Sequence, residues 1–394
     1  MNVPSSSTLR LLVICNAYPS NSDLYRNGFI HRRVKEYQKK GAKVEVFYNH
    51  QPVKSAYEYE YDGVAVTVGN DAALYEKVTN TDFDSFLVHF AEPSRIDPLL
   101  RAEVRGPIFV WIHGFEAEAW HRRWFNFIQS QQQIREALQK KREYYEHQNE
   151  FLGSLVRERP LDMTFINVSD WFKTMIVEPD LDVEFENDYV IPNLIDDRIF
   201  PYREKSETDR LNILSIRPFA SYKYANDQTV EAIKILSARP YFNELNFTIV
   251  GDGRLFSELT EPLAKYRNVK LRKRFLGQEE ISKLHAENGV FLAPTRFDSQ
   301  GVSMCEAMSS GLVPISTDIA AIPEFVSDGE SGLLVPPESP LALADAIEEL
   351  YFDSELFSRL SVAAASSIRA LCGREATTSR ELDLICEKAV SHGA

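Results

Sequence analysis

Two carboxylates, Asp298 and Glu306, stand eight positions apart in the stretch RFDSQGVSMCEAMSSG. The apolar run GVFLAPT leads into this stretch and predicts a buried strand, whereas the residues from Val302 onward predict a helix. Asp298 is then expected on the loop, and Glu306 about one turn inside the helix. Carboxylates accept hydrogen bonds from hydroxyl groups, so this spacing suits an elongated ligand that carries sugar hydroxyls. A helix-capping Asp with a helix-surface Glu would have the same spacing, and the local sequence leaves both interpretations open.

The start of the predicted helix is a candidate anion site. The first N–H groups of a helix have no acceptor within the helix and favour a negatively charged ligand. Gly301 has no side chain and would let such a ligand approach the backbone. We therefore predict that Ser299, Gln300, Gly301 and Val302 contact a phosphate group or sugar hydroxyls through backbone amides.

Two cations follow the predicted strand LNILSIR. Arg217 comes directly after its apolar residues, and Lys223 comes six residues later. Ligands of parallel sheets bind at the carboxyl ends of the strands, where a planar guanidinium and a mobile amine together suit a diphosphate. Two solvated surface charges are the alternative.

Gly251, in the strand-end loop VGDGR, is a further candidate for close approach to a ligand, although an ordinary tight turn would also favour glycine there.

Further candidates lie at strand ends in the first half of the chain. His113 and Gly114 end the apolar run VWIHG, and Gly28 precedes the first predicted helix. A histidine at a strand end is often a packed, hydrogen-bonded residue, and this is our interpretation of His89 in FLVHFAEP. For His113 and Gly114 the alternative is contact with a bound ligand, and the position at a strand end leaves this open.

The elements that must position these residues alternate between strands and helices. The predicted strands of the first half are RLLVICNA, KVEVFYN, VAVTVG, SFLVHF, IFVWIHG, MTFINVS and YVIPN, and those of the second half are LNILSIR, NFTIVGDG, VKLRKRFLG, GVFLAPT and LVPISTD. This alternation predicts an α/β fold with two Rossmann-like, doubly wound parallel-sheet domains that face a cleft. The predicted domains are 1–195, with a helical insertion at about 117–157, and 196–375. The C-terminal helix, about 376–394, is expected to pack back on the first domain.

Composition excludes several classes of protein. The 394 residues carry a net charge of −14, which argues against a broad nucleic-acid surface. No apolar run approaches the ~20 residues of a membrane span, and the N-terminal run LLVIC is too short for a signal peptide. The four cysteines show no metal-type spacing and are expected to be reduced and half-buried. We therefore expect a cytoplasmic protein.

The predicted insertion mixes aromatic and basic residues in the stretch AWHRRWFNF. This mixture suits a membrane interface, which would place the protein peripherally at the inner face of a membrane, or an amphiphilic acceptor. A helix packed on the first domain with its arginines outward fits equally well. The acidic run EPDLDVEFEND contains an Asp-x-Asp pattern without a strand leading into it, so no metal site is predicted there.

A resemblance to a known family unites these motifs. The ordered set SIRPFASYK, IVGDG, FDSQGVSMCEAMSSGLVPIST and IPEFVSDGESGLLVPP resembles the second domain of glycosyltransferase family 4, whose members are retaining enzymes with the GT-B fold. The segment VIPNLIDDRIF is similar to the family's interdomain segment, and FINVSDWFKTMI to its last N-terminal strand and helix. The resemblance covers nearly the whole chain. Asp298 stands where the family usually has Glu, and Ala320 and Ala321 where it usually has two glycines.

The resemblance implies transfer of a sugar from a nucleotide diphosphate, with UDP favoured, to an acceptor hydroxyl, without a metal or other cofactor. It implies that Arg217 and Lys223 clamp the diphosphate, that Glu306 contacts the ribose, and that Asp298 and His113 contact the transferred sugar. It also places Gly28 near the donor phosphates and the acceptor. The implied acceptor is a sugar, a lipid-linked sugar or a small metabolite, and the implied process is polysaccharide or glycoconjugate synthesis.

Three other functions remain open at this stage. A nucleotide-sugar 2-epimerase uses the same fold, and a non-catalytic nucleotide-sugar binding protein would tolerate the change to Asp298. A dinucleotide-dependent dehydrogenase is disfavoured, because the first loop, CNAYPSNSDLYRNG, contains a single glycine instead of G-x-G-x-x-G.

Overall fold

The computed structural model describes residues 9–21, 26–124, 128, 130–186 and 188–393. The chain divides into two compact units. Unit 1 comprises Met1–Leu194 and Glu375–Ala394, and unit 2 comprises Ile195–Arg374. Both units are α/β, each built around one sheet of mainly parallel strands, as the alternating sequence pattern predicts.

The sheet of unit 1 has eight strands in the order β3-β4-β2-β1-β5-β6-β7-β8. These strands are β1 (Arg10–Cys15), β2 (Lys43–Asn49), β3 (Tyr57–Tyr61), β4 (Val64–Gly69), β5 (Ser85–His89), β6 (Ile108–Ile112), β7 (Met163–Asn167) and β8 (Tyr189–Val190). All neighbours are parallel except β3 and β4. The buried central strands form because their apolar runs are covered on both faces.

Strand β3 was not predicted from the sequence. Its residues, YEYEY, are mostly exposed and alternate an aromatic with an acidic side chain at the edge of the sheet. It pairs with β4 through a two-residue turn in which Asp62 and Gly63 both have positive φ, at 47° and 71°. An Asp-Gly pair is typical of such hairpin turns, so the sequence did contain a signal for this strand.

The helices of unit 1 include the predicted insertion. They are α1 (Gly28–Lys39), α2 (Asp71–Asn80), α3 (Pro93–Arg101), α4 (Trp120–Trp124), α5 (Gln131–Lys140), α6 (Glu146–Glu158), α7 (Asp170–Phe172), α8 (Glu178–Leu181) and, from the end of the chain, α16 (Arg380–Gly393). A π-helical turn, Lys141–Tyr145, joins α5 to α6, so the described part of the insertion is mainly helical. Among the described residues, no helix is long and apolar enough to cross a membrane.

A buried polar cluster attaches α16 to the rest of unit 1. The Glu381 carboxylate is fully buried and accepts hydrogen bonds from the Arg33 guanidinium at 3.0 Å and the Tyr37 hydroxyl at 2.6 Å. It also accepts one from the Trp111 indole N–H at 3.1 Å. Arg33 is equally buried, and its Nη1 donates to Asn193. The charge pair therefore has nearly all its hydrogen-bonding capacity met inside the protein, which is the condition for burying it.

The sheet of unit 2 has six parallel strands in the order β11-β10-β9-β12-β13-β14. They are β9 (Asn212–Ile216), β10 (Asn246–Gly251), β11 (Val269–Lys273), β12 (Val290–Leu292), β13 (Val313–Thr317) and β14 (Leu333–Val335). The helices are α9 (Asn226–Leu236), α10 (Phe256–Thr260), α11 (Gln278–Glu287), α12 (Val302–Ser309), α13 (Ile322–Phe325), α14 (Pro340–Phe352) and α15 (Ser354–Cys372). The sequence predicts one helical region where α14 and α15 occur. The two separate at Asp353, whose carboxylate accepts the Leu356 amide at 2.8 Å and caps α15.

The prediction of half-buried cysteines is wrong. Cys15, Cys305 and Cys372 are fully buried, whereas Cys386 is exposed, and all four are free thiols. Three of them lie in or beside core elements, because a free thiol behaves as a small apolar side chain.

Candidate functional site

The candidate residues of unit 2 lie on loops at one edge of its sheet. Arg217 directly follows β9, and the loop containing Asp298 follows β12. Strands β9 and β12 are neighbours, with Val290 opposite Ile213, so their carboxyl ends lie side by side. The parallel pairing thereby brings together residues that are about eighty positions apart in the chain.

Arg217 is a buried cation with little internal neutralisation. Its side chain is only 4% exposed, and Nη1 donates to the Ser303 hydroxyl at 3.2 Å. Nη2 lies 3.6 Å from the Asp298 Oδ2, which is an ion-pair distance and longer than a hydrogen bond. Among the described residues, neither Nε nor Nη2 has a hydrogen-bond partner. Buried guanidinium groups are normally satisfied, so these N–H groups indicate an anionic ligand.

Lys223 lies on a short 3-10 turn, Tyr222–Tyr224, between β9 and α9. Its amine lies 5.3 Å from the centre of the Phe297 ring and 5.8 Å from that of Tyr224. The guanidinium of Arg217 lies 5.0 Å from the same Tyr224 ring. Aromatic faces attract cations without neutralising them. The Lys223 charge and the two Arg217 N–H groups without a hydrogen-bond partner among the described residues are therefore the candidates for binding a diphosphate.

Asp298 has two separate contacts. Its Oδ1 accepts the Gly301 amide at 2.9 Å and the Gln300 amide at 3.4 Å, while its Oδ2 lies towards Arg217. The helix-capping interpretation left open by the sequence is therefore wrong for Asp298, because the N-cap residue of α12 is Gly301 and Oδ1 binds amides that precede the helix. The Gln300 and Gly301 amides, predicted to be offered to a ligand, are donated within the loop, and the Gln300 side chain is buried against Cys372.

The first turn of α12 remains a candidate anion site. Gly301 adopts φ 76° immediately before the helix, a conformation that favours glycine. The amides of Val302 and Ser303 follow it and have no acceptor within the helix. Ser299 lies on the loop and Glu306 is half-buried in the helix, and their roles as donor contacts stay predictions.

The glycines after β10 keep two loops in contact. A Cβ on Gly251 would lie 2.0 Å from the carbonyl oxygen of Arg217, and one on Gly253 would lie 2.3 Å from the carbonyl carbon of Phe219. A side chain at either position would displace the segment that carries Arg217. Gly251 is therefore needed to position Arg217, and its direct contact with a donor stays a prediction.

In unit 1, His113 follows β6 and its ring is enclosed by other aromatic rings. Its Nε2 lies 2.9 Å from the Nδ1 of His89, so one of the two imidazoles donates a hydrogen bond to the other. The rings of Phe29 and Phe90 lie 5.0 and 4.7 Å away. Burial holds the pKa of both histidines well below the usual value, so both are neutral at pH 7. His89 is buried against Trp111, which agrees with its predicted structural role.

The loop after His113 is held by Glu116, a residue that the sequence analysis missed. Its fully buried carboxyl accepts the backbone amide of His113 at 2.6 Å and that of Gly114 at 3.0 Å. The amide of Gly114, a candidate for donor binding, is thus already bonded. The last predicted glycine, Gly28, begins α1 after Asn27, which has φ 52°, so the left-handed turn falls on the asparagine.

Glu116 should make the stability of unit 1 depend on pH. Burial raises its pKa from 4.5 to about 7, so the folded chain holds a proton that the unfolded chain releases in this interval. Its contribution to the free energy of unfolding is therefore present below pH 4.5 and is lost as the pH rises through 7. Glu116→Gln keeps an acceptor oxygen but does not titrate. We expect the stability of the variant relative to wild type to rise by about 3 kcal/mol as the pH increases from 4.5 to above 7.

Urea unfolding followed by tryptophan fluorescence at several pH values measures this difference, because all four tryptophans lie in unit 1. Glu150→Gln is the matched control, since Glu150 is a largely exposed glutamate in the same unit. A wild-type-minus-variant difference that stays constant with pH would contradict the assignment.

The described part of the aromatic and basic segment is packed within unit 1. Arg122 donates to the Asp180 Oδ1 at 3.0 Å, and the Ala119 amide donates to Oδ2 at 2.7 Å. The amine of Lys141 lies 5.5 Å from the Trp120 ring centre. Asp180 belongs to the Asp-x-Asp pattern, and its side chain is only 3% exposed. Phe125 and Phe127, named for a membrane or acceptor role, lie outside the described residues, as do the side chains of Arg123 and Trp124.

Comparison with known protein families identifies the part of the chain that carries Arg217, Lys223, Asp298 and α12. A family model described as "Glycosyl transferases group 1" matches residues 211–353. Residues 211–353 are a group 1 glycosyltransferase domain. This confirms the resemblance to glycosyltransferase family 4 and accounts for the grouping of the candidate residues at one sheet edge.

Relatives of this glycosyltransferase domain occur among curated proteins. The chain is 26% identical over 203 residues to N-acetyl-alpha-D-glucosaminyl L-malate synthase from Bacillus anthracis, a match that covers 49% of this chain and 50% of the relative. It is 28% identical over 160 residues to alpha-D-kanosaminyltransferase from Streptomyces kanamyceticus, covering 40% of each chain. The chain thus spans about half the length, or less, of these relatives.

Solved structures match almost the whole chain. Sucrose-phosphate synthase from Thermosynechococcus elongatus superposes with a TM-score of 0.73 at 15% identity, covering 96% of this chain and 98% of that one. Anabaena HepE, solved in complex with UDP and glucose, gives a TM-score of 0.64 at 14% identity and covers 96% and 100%. At this identity the likeness concerns the fold, and it confirms the predicted GT-B class.

Three residues of the glycosyltransferase domain contact the predicted cations but were not predicted. Ser303 accepts from Arg217, and Tyr224 and Phe297 flank the Lys223 amine. The sequence indicates a role for Tyr224 and Phe297 only through their positions, because Tyr224 is adjacent to Lys223 and Phe297 is adjacent to Asp298. Sequence spacing does not tell which side of a loop such neighbours face.

Proposed function

We propose that the chain is a retaining, metal-independent glycosyltransferase that moves a sugar from a nucleotide diphosphate to an acceptor hydroxyl. The observation that carries this proposal is the buried guanidinium of Arg217, whose Nε and Nη2 have no hydrogen-bond partner among the described residues. The Lys223 amine lies near the same Tyr224 ring. A diphosphate is a ligand whose charge and oxygen atoms match both groups.

UDP is the proposed nucleotide, and two observations support it. The fold resembles that of Anabaena HepE, which was solved with UDP and glucose. The match to group 1 glycosyltransferases covers the sheet edge where the two cations lie. The proposed acceptor is a hydroxyl of a sugar, a lipid-linked sugar or a small metabolite.

The proposed chemistry depends on stabilising the leaving group. As the bond from the anomeric carbon to the diphosphate breaks, negative charge grows on the diphosphate and positive character grows on the sugar. Arg217, Lys223 and the amides of Val302 and Ser303 are placed to stabilise the growing negative charge. The acceptor hydroxyl attacks the same face of the sugar and passes its proton to the leaving phosphate. This route keeps the anomeric configuration and requires no carboxylate nucleophile.

Unit 1 is proposed to supply the acceptor site and one contact with the transferred sugar. We assign that contact to His113, on the basis of the family resemblance and its neutral, hydrogen-bonded imidazole. A neutral imidazole has one N–H donor and one acceptor, which suits a sugar hydroxyl better than a phosphate. Gly28 is assigned by resemblance to the region of the donor phosphates and the acceptor, and Gly114 is assigned to the donor site because it follows His113.

Incubation of the full chain with UDP-sugars tests the proposal directly. Release of UDP, with the sugar transferred to an acceptor or to water, supports a glycosyltransferase. Interconversion of the donor without net UDP release would show a 2-epimerase, and binding without either reaction would show a non-catalytic binding protein.

Turnover should continue in excess EDTA, because two cations and a helix terminus meet the charge that a divalent ion would otherwise neutralise. Loss of turnover in EDTA with recovery in Mg²⁺ or Mn²⁺ would refute metal independence.

The two acids should have separable effects on binding and turnover. Glu306→Gln should weaken UDP and UDP-sugar by similar factors, on the order of 1–3 kcal/mol, if its carboxylate bonds the ribose. Asp298→Asn keeps an oxygen for the Gly301 amide and removes a negative charge 3.6 Å from Arg217, so UDP affinity should not fall. It should lower kcat, because sugar positioning matters most as the bond breaks.

Calorimetry with UDP, together with turnover of the sugar donor, measures both effects. Asp345→Asn is the control, because Asp345 is an exposed acid of unit 2 that lies on α14 and not on a strand-end loop. An equal loss of UDP affinity in the Asp298 and Glu306 variants would place both acids at one point and contradict the division of roles.

A further inference from the structure

Arg296, in the loop after β12, joins three separate segments of unit 2. Its guanidinium donates to both carboxylate oxygens of Asp227, at 2.8 and 2.7 Å, and to both of Glu338, at 2.5 and 2.8 Å. Nη1 also donates to the backbone carbonyl of Tyr222 at 2.7 Å. The two ion pairs raise the pKa of Arg296 above its already high value, so this side chain is permanently charged.

The same loop holds the turn of Lys223 through its backbone. The Arg296 amide donates to the Lys223 carbonyl at 2.9 Å, and the Thr295 hydroxyl donates to the same oxygen at 3.2 Å. Two successive carbonyls of the turn, those of Tyr222 and Lys223, are therefore bonded to residues 295–296. The next residue, Phe297, presents its ring to the Lys223 amine. The residue after that is Asp298, which faces Arg217.

The carboxylates around Arg296 are themselves fixed in place. Asp227 lies in the first turn of α9, where a negative charge is favoured by the helix dipole. Glu338 adopts φ 56°, a left-handed conformation that is costly for a residue with a side chain. The side-chain amide of Gln228 donates to the Glu338 Oε2 at 3.1 Å. Only a planar fork of five donors can bond two carboxylates and a carbonyl at once, so lysine cannot replace this arginine.

We propose that Arg296 is a positioning residue for Lys223. It holds the turn Tyr222–Tyr224 against the loop of Phe297 and Asp298, and thereby sets the place of the Lys223 amine relative to Arg217. The functional consequence rests on the proposed function, in which Lys223 stabilises the leaving diphosphate. The positional consequence does not rest on it. A purely structural arginine, which ties α9 to the sheet edge without affecting Lys223, is the alternative.

The position of the Lys223 amine can be measured without substrate. In the full chain, reductive ¹³C-methylation labels the lysines, and the Lys223 signal is identified by its absence in Lys223→Arg. Two rings at 5.3 and 5.8 Å should shift this signal upfield. We expect the shift to collapse towards that of exposed lysines in Arg296→Ala and in Arg296→Lys, and to remain in Arg239→Ala. Arg239 lies beyond the opposite end of α9 and pairs with Asp345 and Glu348.

A retained ring shift in a folded Arg296 variant would overturn the proposal. If Arg296→Ala does not fold, Arg296→Lys and Glu338→Gln give the same measurement with smaller changes. A general loss of dispersion in all lysine signals, with no selective change at Lys223 in the milder variants, would show a structural role only.

A double-mutant cycle tests the functional consequence. Misplacement of a reacting group by about 1 Å can cost ~10²-fold in rate, so Arg296→Ala should lower kcat by about 10- to 100-fold, with a smaller change in KM. If Arg296 acts through Lys223, adding Arg296→Ala to Lys223→Ala should cost no more than about threefold further. Additive losses would overturn the proposal. If the wild-type chain turns over no donor, the proposed function fails, and the ring shift alone decides the role of Arg296.

Discussion

Replacing Lys223 with alanine should lower kcat by about 10²-fold or more, the scale of losing one preorganised electrostatic group from a transition state. The amine is half-buried among aromatic rings, so its charge acts at close range and with little screening. KM for the donor should change less than kcat, because charge on the leaving diphosphate grows as the bond breaks. Steady-state kinetics with a UDP-sugar measure both constants.

The matched control for this substitution is Lys234→Ala. Lys234 lies on the following helix, α9, and pairs with Glu231 at the surface. It should have wild-type kinetics, and both variants should unfold at the same urea concentration as wild type. A Lys223→Ala enzyme within threefold of wild type would remove Lys223 from the proposed mechanism and leave Arg217 as the charge that meets the diphosphate.

Replacing Glu381 with alanine should destabilise unit 1 by about 3–5 kcal/mol, because it leaves Arg33 as an unpaired buried charge. The substitution also removes the acceptor for Tyr37 and for Trp111. Glu381 lies on α16, at the end of the chain, so losing this cluster should release the C-terminal helix as well. The free energy of unfolding can be followed by tryptophan fluorescence, which reports on unit 1 because all four tryptophans, including Trp111, belong to it.

Glu387→Ala is the control on the same helix, since Glu387 is exposed, and it should change stability by less than about 0.5 kcal/mol. A second comparison separates the buried charge from packing. Replacing both partners, in Arg33→Met with Glu381→Met, should recover a large part of the loss, because no charge is then left unpaired. A single Glu381→Ala variant as stable as the control would show that the ion pair does not hold α16 in place.

Much of the fold could be predicted because most strands are buried on both faces and appear in the sequence as continuous apolar runs. The elements that were missed have different physical origins. Strand β3 is an exposed edge strand of Tyr and Glu residues, and it forms by antiparallel pairing with β4. The break between α14 and α15 depends on one capping carboxylate, Asp353, in a continuous helical pattern. Strand β14 is apolar but only three residues long, and it forms by pairing with β13.

The candidate site could be predicted as a set of residues but not as a set of contacts. Arg217 and Asp298 both follow apolar strands, and the strand-end rule places both at the carboxyl edge of a parallel sheet. The rule does not give the order of strands in that sheet. Only the placement of β12 beside β9 brings Asp298 to 3.6 Å from Arg217. The bonds of the Gln300 and Gly301 amides to Asp298 likewise depend on the loop's backbone conformation.

Hydrophobic periodicity and turn residues act over short stretches of chain, so the linear sequence specifies which residue types are available and on which elements they lie. It thus determined the two α/β halves, the cations after β9, and the acids on either side of the start of α12. Which charged groups pair with one another depends instead on the tertiary fold. Arg33 is paired with Glu381 some 348 positions away, and Arg296 with Asp227 and Glu338, whereas Arg217 keeps two unpartnered N–H groups among the described residues. Pairing of charges depends on distances of a few ångströms between segments remote in sequence, and a linear pattern does not contain those distances.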